Sequence, residues 1–214
     1  MQGLTWLYLG VAALVAMVDW LAVATDRRSL EWFFKPATIV MLLGVLYTLE
    51  LPVPSMRGWF AAALTFSLIG DVFLISQKMK WFVPGVAAFL LGHVMYVLGF
   101  LEAERNTVAL LGGVALMAVL LLSFGPTLLV ESKRESPALP AALAAYMATI
   151  AVMVCGAFAT GSWVAMVGSS LFAISDFVIG FTRFVQPIPQ QRIIVMTTYH
   201  VAQTALVLSL LQMS

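Results

Sequence analysis

Apolar positions do not alternate or recur at helical spacing along this chain; they run in unbroken blocks of roughly twenty, each closed by a short polar or basic stretch. A helix of that length crosses a hydrocarbon layer of ~30 Å, so each block predicts a membrane span. Eight blocks are legible: residues 4–24, 36–50, 57–76, 82–101, 107–130, 139–159, 161–182 and 190–212. The second is short and is extended toward Trp32, Phe33 and Phe34 at the interface, with Pro36 read as a helix-opening residue. Only Gly161 divides the sixth from the seventh, so seven spans are the alternative.

Composition agrees with the pattern. Of 214 residues, 62% are hydrophobic and 10% charged, which excludes an ordinary soluble domain and predicts an all-α, polytopic helix bundle forming one integral membrane domain over 1–214. The first block carries Asp19 and lacks a basic leader, so it reads as a retained helix. A single cysteine, Cys155, excludes an intramolecular disulfide. A net charge of +1 without a basic arm gives no reason to expect nucleic acid as a partner, and no feature encodes an oligomeric state.

Basic residues set the expected orientation. Arg27, Arg28, Lys35, Lys78, Lys80, Lys133, Arg134, Arg183 and Arg192 follow the odd-numbered spans, leaving only Arg57 and Arg105 on the other side. The positive-inside rule then puts those loops in the cytoplasm and both termini outside it. A compact chain of this kind suits a bacterial inner membrane. A weak echo, FSLIGDVFLI at 66–75 against FAISDFVIG at 172–180 and GHVMY at 92–96 against YHVAQ at 199–203, suggests a parallel four-plus-four repeat.

Ionisable groups inside such spans are expensive and mark functional places. Counted from the cytoplasmic span ends, Asp19, Asp71 and Asp176 fall at one common depth of roughly 8 to 10 Å, with His93 and His200 deeper, at about 12 to 17 Å. Tyr96 lies one turn from His93, Gln203 one turn from Tyr199 and His200, and Ser67 one turn before Asp71, while Lys35 sits at the cytoplasmic mouth. The outline is a polar cavity open to the cytoplasm, with a cation placed to meet a phosphate. Two carboxyl groups in unlike surroundings divide the work of donating a proton and of stabilising a cation, chemistry suited to an acid-labile ether. No G-x-S-x-G, H-E-x-x-H or glycine-rich phosphate loop competes with this reading.

Five motifs carry a resemblance: K-P at 35–36, S-L-I-G-D-V-F-L at 67–74, F-L-L-G-H-x-x-Y at 89–96, F-x-x-S-D at 172–176 and T-Y-x-x-A-Q at 198–203. In these the chain resembles the YhhN family of membrane proteins, which includes the lysoplasmalogenases. The resemblance implies about eight membrane helices, no metal or other cofactor, and hydrolysis of the vinyl ether bond of a lysophospholipid, the lysoplasmalogen, to a fatty aldehyde and a glycerophospho-head group. It places the family's paired aspartates on Asp71 and Asp176 as catalytic groups. Lys35, His93 and Tyr96 take the family's lysine, histidine and tyrosine, and Ser67, Tyr199 and Gln203 join them as supporting residues. The family's final motif usually has a tyrosine where this chain has His200, so His200 and the motif-free Asp19 are the weaker candidates. Two alternatives stay open at this level: a proton-coupled transporter of lipids or small molecules, and a metal-dependent lipid amide or ester hydrolase drawing on Asp71, His93, Asp176 and His200.

Overall fold

The computed structural model describes residues 2–76 and 79–213; Met1, Gln77, Lys78 and Ser214 lie outside them, and so does the loop position expected for Lys78. The described chain is all-helical: α1 (Gln2–Ala24), α2 (Arg28–Thr48), α3 (Met56–Ile75), α4 (Met79–Phe100), α5 (Thr107–Ser132), α6 (Leu139–Ala159), α7 (Trp163–Phe184) and α8 (Gln191–Ser209), closed by a 3-10 turn at Leu210–Gln212. All eight helices are long and apolar enough to cross a membrane.

Gly161 does separate two helices. Its φ of +73° lies in the left-handed region, where an added Cβ would also crowd the Asn106 side chain, and the amide N–H groups of Thr160 and Gly161 close the end of α6. Ser162 then caps α7 by accepting a hydrogen bond from the Ala165 N–H, as Asn106 caps α5 through Ala109. At the opposite end of α2, the Arg57 guanidinium donates to the carbonyls of Leu46 and Leu49, groups that would otherwise end the helix unpaired.

The second span departs from expectation. α2 starts at Arg28, so Pro36 is an interior residue and not a helix opener. Glu31 in the first turn favours that earlier start by meeting the positive end of the helix dipole. Lys35 is thereby carried seven residues into the helix, about 10 Å along its axis, and is buried.

Sequential helices pair as hairpins, α1 with α2, α3 with α4, α5 with α6 and α7 with α8. The hairpins then pack through α2 on α3, α4 on α6, α6 on α7, and α8 on both α1 and α2. Small residues set the closest approach: a Cβ at Gly70 would fall 2.6 Å from the Phe89 ring, and one at Gly92 would press on the Ala63 carbonyl. The resulting core of Leu42, Leu46, Phe60, Leu64, Met153 and Leu206 brings the polar residues of seven helices to the bundle interior.

Candidate active site

Three polar nests lie inside the bundle. In the first, Lys35 Nζ on α2 meets Asp71 Oδ1 on α3 at 3.1 Å, and the Tyr199 hydroxyl on α8 donates to Asp71 Oδ2 at 2.8 Å. Gln203 Nε2 donates to the Tyr199 oxygen at 3.4 Å, and the Tyr96 hydroxyl on α4 donates to Gln203 Oε1. All five side chains are buried, and one ion pair and three hydrogen bonds link them across four helices. Ser67 is buried one turn from Asp71, and its hydroxyl has no hydrogen-bond partner among the described residues.

The second nest surrounds Asp176 on α7. The Tyr146 hydroxyl on α6 donates to Asp176 Oδ2 at 2.9 Å, and His93 Nε2 lies 3.5 Å from the same oxygen. His93 packs edge-on against Phe172 at 4.8 Å and Tyr146 at 5.5 Å. Phe89 and Phe172 stand between the two nests, each edge-on to Tyr199, at 5.8 and 5.5 Å. Asp71 and Asp176 therefore have separate partners.

The third nest joins α1 to α8. Trp20 Nε1 donates to His200 Nδ1 at 3.1 Å, which leaves His200 Nε2 buried and unpaired among the described residues. Asp19 is wholly buried, and neither of its oxygens has a hydrogen-bond partner among the described residues. Burying a polar group without partners costs about 1–3 kcal/mol. Asp19→Leu is therefore expected to stabilise the protein by about that amount, read as a higher unfolding temperature in detergent; a lower one would show that Asp19 supports its neighbours.

Two cavities adjoin these nests. An apolar one of about 240 Å³ lies between α4, α6 and α7, lined by residues such as Val86, Leu90, Leu143 and Phe177, with Asp176 and Tyr146 as its polar wall. A charged vestibule of about 450 Å³ is bounded by Arg28, Glu31, Lys35, Arg183, Gln191 and Arg192. Leu74, Phe82 and Ile179 belong to both, so the apolar cavity and the vestibule share a wall. At the rim, Arg192 bridges Asp26 and Glu31 and holds the exposed Asp26 carboxyl below the usual carboxylate range, chiefly by their hydrogen bond.

The three aspartates are not equally far from the observed ends of their helices. Measured to the observed helix ends at ~1.5 Å per residue, Asp19, Asp71 and Asp176 lie about 7.5, 6 and 12 Å along their helices. His93, about 21 Å along α4, nevertheless touches Asp176, so neighbouring helices do not end level. Lys35 borders the vestibule, as expected of a residue at the mouth, but its ammonium is engaged with Asp71. Asp19 lines neither cavity. Among the described residues no three His, Cys, Asp or Glu side chains converge as a ligand set, and Asp71, His93, Asp176 and His200 are divided among the three nests.

Sequence reasoning missed Tyr146 and Trp20. Tyr146 was visible as the one tyrosine in the apolar run of α6, seven residues in from its start. Trp20 was visible only as the neighbour of Asp19.

These contacts tie together residues from separate motifs, and the profile of the YhhN family matches residues 30–210, nearly the whole stretch that builds them. The chain belongs to the YhhN family. Human lysoplasmalogenase TMEM86B (Homo sapiens) is 32% identical over 187 residues, covering 86% of this chain and 78% of that protein. Lysoplasmalogenase TMEM86B of Sus scrofa is 34% identical over 154 residues, 70% of this chain, and lysoplasmalogenase of Mycobacterium tuberculosis is 31% identical over 172 residues, 75% of this chain. The chain spans 62% of the length of each of these last two. No solved structure matches it. Within the YhhN match fall Lys35, Asp71, His93, Tyr96, Tyr146, Asp176, Tyr199 and Gln203, whereas Asp19 and Trp20 precede it.

Proposed function

We propose that this YhhN protein is a lysoplasmalogenase-like membrane hydrolase, cleaving the vinyl ether of a lysoplasmalogen to a fatty aldehyde and a glycerophospho-head group. The observation that carries the reading is an apolar cavity that ends on a carboxyl group and shares a wall with a charged vestibule. A single-chain amphiphile fits that arrangement, with its alkyl chain among α4, α6 and α7 and its head group among the arginines. The names of the relatives support the bond type.

Vinyl ether hydrolysis starts with protonation of the carbon two bonds from oxygen, which leaves an oxocarbenium ion. Water adds to that cation and loses a proton, and the hemiacetal collapses to aldehyde and free glycerol hydroxyl. Asp176 is the carboxyl group on the cavity wall and is assigned the proton donation. Tyr146 and His93 both engage Oδ2, and Oδ1 accepts no hydrogen bond among the described residues, so it is the oxygen available to substrate. Once deprotonated, the same carboxylate stabilises the cation and takes a proton from the incoming water. Asp71 lines neither cavity, so its part is to fix Lys35 and Tyr199, not to touch substrate. The distribution of basic residues supports a vestibule opening to the cytoplasmic side of a bacterial inner membrane.

Incubating the purified protein with a lysoplasmalogen, an ester lysophospholipid and a ceramide tests the assignment. Aldehyde is expected from the first substrate alone. Cleavage of the ester or amide lipid without aldehyde would overturn it, as would uptake of unmodified lipid into sealed vesicles.

A further inference from the structure

The apolar cavity is too small for the whole chain of the lipid it is proposed to receive. Its volume of about 240 Å³ falls below the roughly 300–1,000 Å³ of pockets that enclose a drug-sized molecule, and a long-chain lysolipid is larger than such a molecule. Its length is short as well. At one end the Phe82 and Phe184 rings, 6.1 Å apart, stand beside the vestibule that Phe82 also lines. At the other end Asp176 and Tyr146 close it, with the His93 ring 5.5 Å from Tyr146 and the buried Met147 and Ile150 beside them. The lined stretch of α4, from Phe82 to Leu90, covers only about 12 Å at ~1.5 Å per residue. A substrate with its head group on the vestibule side and its reactive bond at Asp176 has used that length, so the chain beyond the bond must leave the cavity.

One side of the cavity offers a way out. α4 and α6 approach closely toward their far ends, where a Cβ at Gly156 would lie 3.5 Å from Phe100, while nearer their starts the cavity separates them. Among the described residues that line it, the exposed ones are Val83 and Ala87 on α4 and Ala142 and Ala145 on α6. Each pair is one turn apart and so shares a helix face. The walls from α5 and α7 include the buried Leu128, Phe177 and Gly180. A cavity whose exposed wall is confined to two neighbouring helices opens between them, and because both helices are long and apolar enough to cross a membrane, the opening faces lipid. Three of its four border residues are alanines, which leave the gap unfilled.

We infer that the gap between α4 and α6 is a lateral portal, through which the alkenyl chain of the lysolipid slides in from the bilayer and in which its far part remains during the reaction. The portal rests on the proposed substrate class and says how that substrate is reached. A chain threaded through the charged vestibule would carry its methylenes through water, at a cost for each one, whereas a chain passing between α4 and α6 stays in apolar surroundings throughout. The portal also sets specificity. Methylenes beyond Ala87, Ala142 and Ala145 stay in lipid before and after binding, so preference for chain length ends at this border. The fatty aldehyde, which keeps that chain, leaves by the same gap into the membrane.

Ala142→Trp/Ala145→Trp fills the gap from the α6 side. In lipid vesicles it is expected to lower kcat/KM for a long-chain lysoplasmalogen about tenfold more than for a short-chain analogue whose tail ends inside the cavity. Equal losses for the two substrates, or no loss for either, in a variant that melts with the wild type overturn the portal. The unaltered protein supplies a second measurement that needs no turnover. A lysophosphatidylethanolamine carrying a photoreactive diazirine midway along its chain is expected to label α4 and α6 beside the portal more heavily than the lipid-facing sides of α1 and α5, where Leu7, Leu14, Leu111 and Leu122 are at least 60% exposed. Labelling spread evenly over the four helices overturns the portal and leaves the vinyl ether reaction standing wherever aldehyde is released. Labelling concentrated on α4 and α6 in a protein that releases no aldehyde supports the portal and sinks the vinyl ether reaction alone.

Discussion

Asp176→Asn is expected to lower aldehyde release from a lysoplasmalogen by about 10³-fold, within the range over which positioned general acids act. The amide keeps the shape of the side chain and can still accept from Tyr146, so the packing of α6 on α7 survives. It cannot deliver a proton to carbon, and it cannot become the anion that steadies the oxocarbenium ion. Tyr146→Phe removes only the hydrogen bond to Oδ2, and a smaller loss, about tenfold, is expected from a misplaced acid. Both variants are read by aldehyde formation beside a thermal unfolding curve. Turnover within a few-fold of wild type in a folded Asp176→Asn protein would remove Asp176 from the chemistry.

Lys35→Met should be the most destabilising single change in the bundle. The Lys35–Asp71 pair has side-chain exposures of 6% and 1%, so removing the ammonium leaves a carboxylate buried beside Tyr199 with no counter-charge. Breaking one side of such a pair costs about 3–5 kcal/mol, whereas replacing both partners by apolar groups is close to neutral. The double variant Lys35→Met/Asp71→Leu is therefore expected to regain most of the lost stability. It is not expected to regain aldehyde release, because Tyr199 loses its acceptor and the wall facing Phe89 and Phe172 loses its anchor. Unfolding temperatures of the two single variants and the double variant in one detergent decide the matter. If Lys35→Met melts with the wild type, the pair is not a structural element.

Much of the fold was legible because lipid imposes a simple rule on sequence: a helical span needs an apolar run of about 20 residues. The number and order of the helices follow from that, and Gly161 marked a real boundary because glycine adopts φ +73° without the steric cost a side chain carries there. The start of α2 was misread at Pro36, since a proline near an apolar edge looks like an opener whether the helix begins there or more than two turns earlier. The site residues were legible as types, because an intramembrane Asp, Lys or His stands out against 62% hydrophobic residues.

Which groups meet was not legible. Counting residues assumes that helices run parallel and end level, and the contact of His93 with Asp176 shows that they do not. The echo between 66–75 and 172–180 made Asp71 and Asp176 look alike, yet one faces a lysine and a tyrosine from α2 and α8, and the other a tyrosine and a histidine from α6 and α4. The sequence by itself determined an eight-helix membrane bundle with a small set of costly polar groups inside it, because apolar length and burial cost act on each residue separately. Only the tertiary structure decided that Asp71 is an ion-pair partner and Asp176 a cavity wall, because a charge in low dielectric takes its character from neighbours that arrive on other helices.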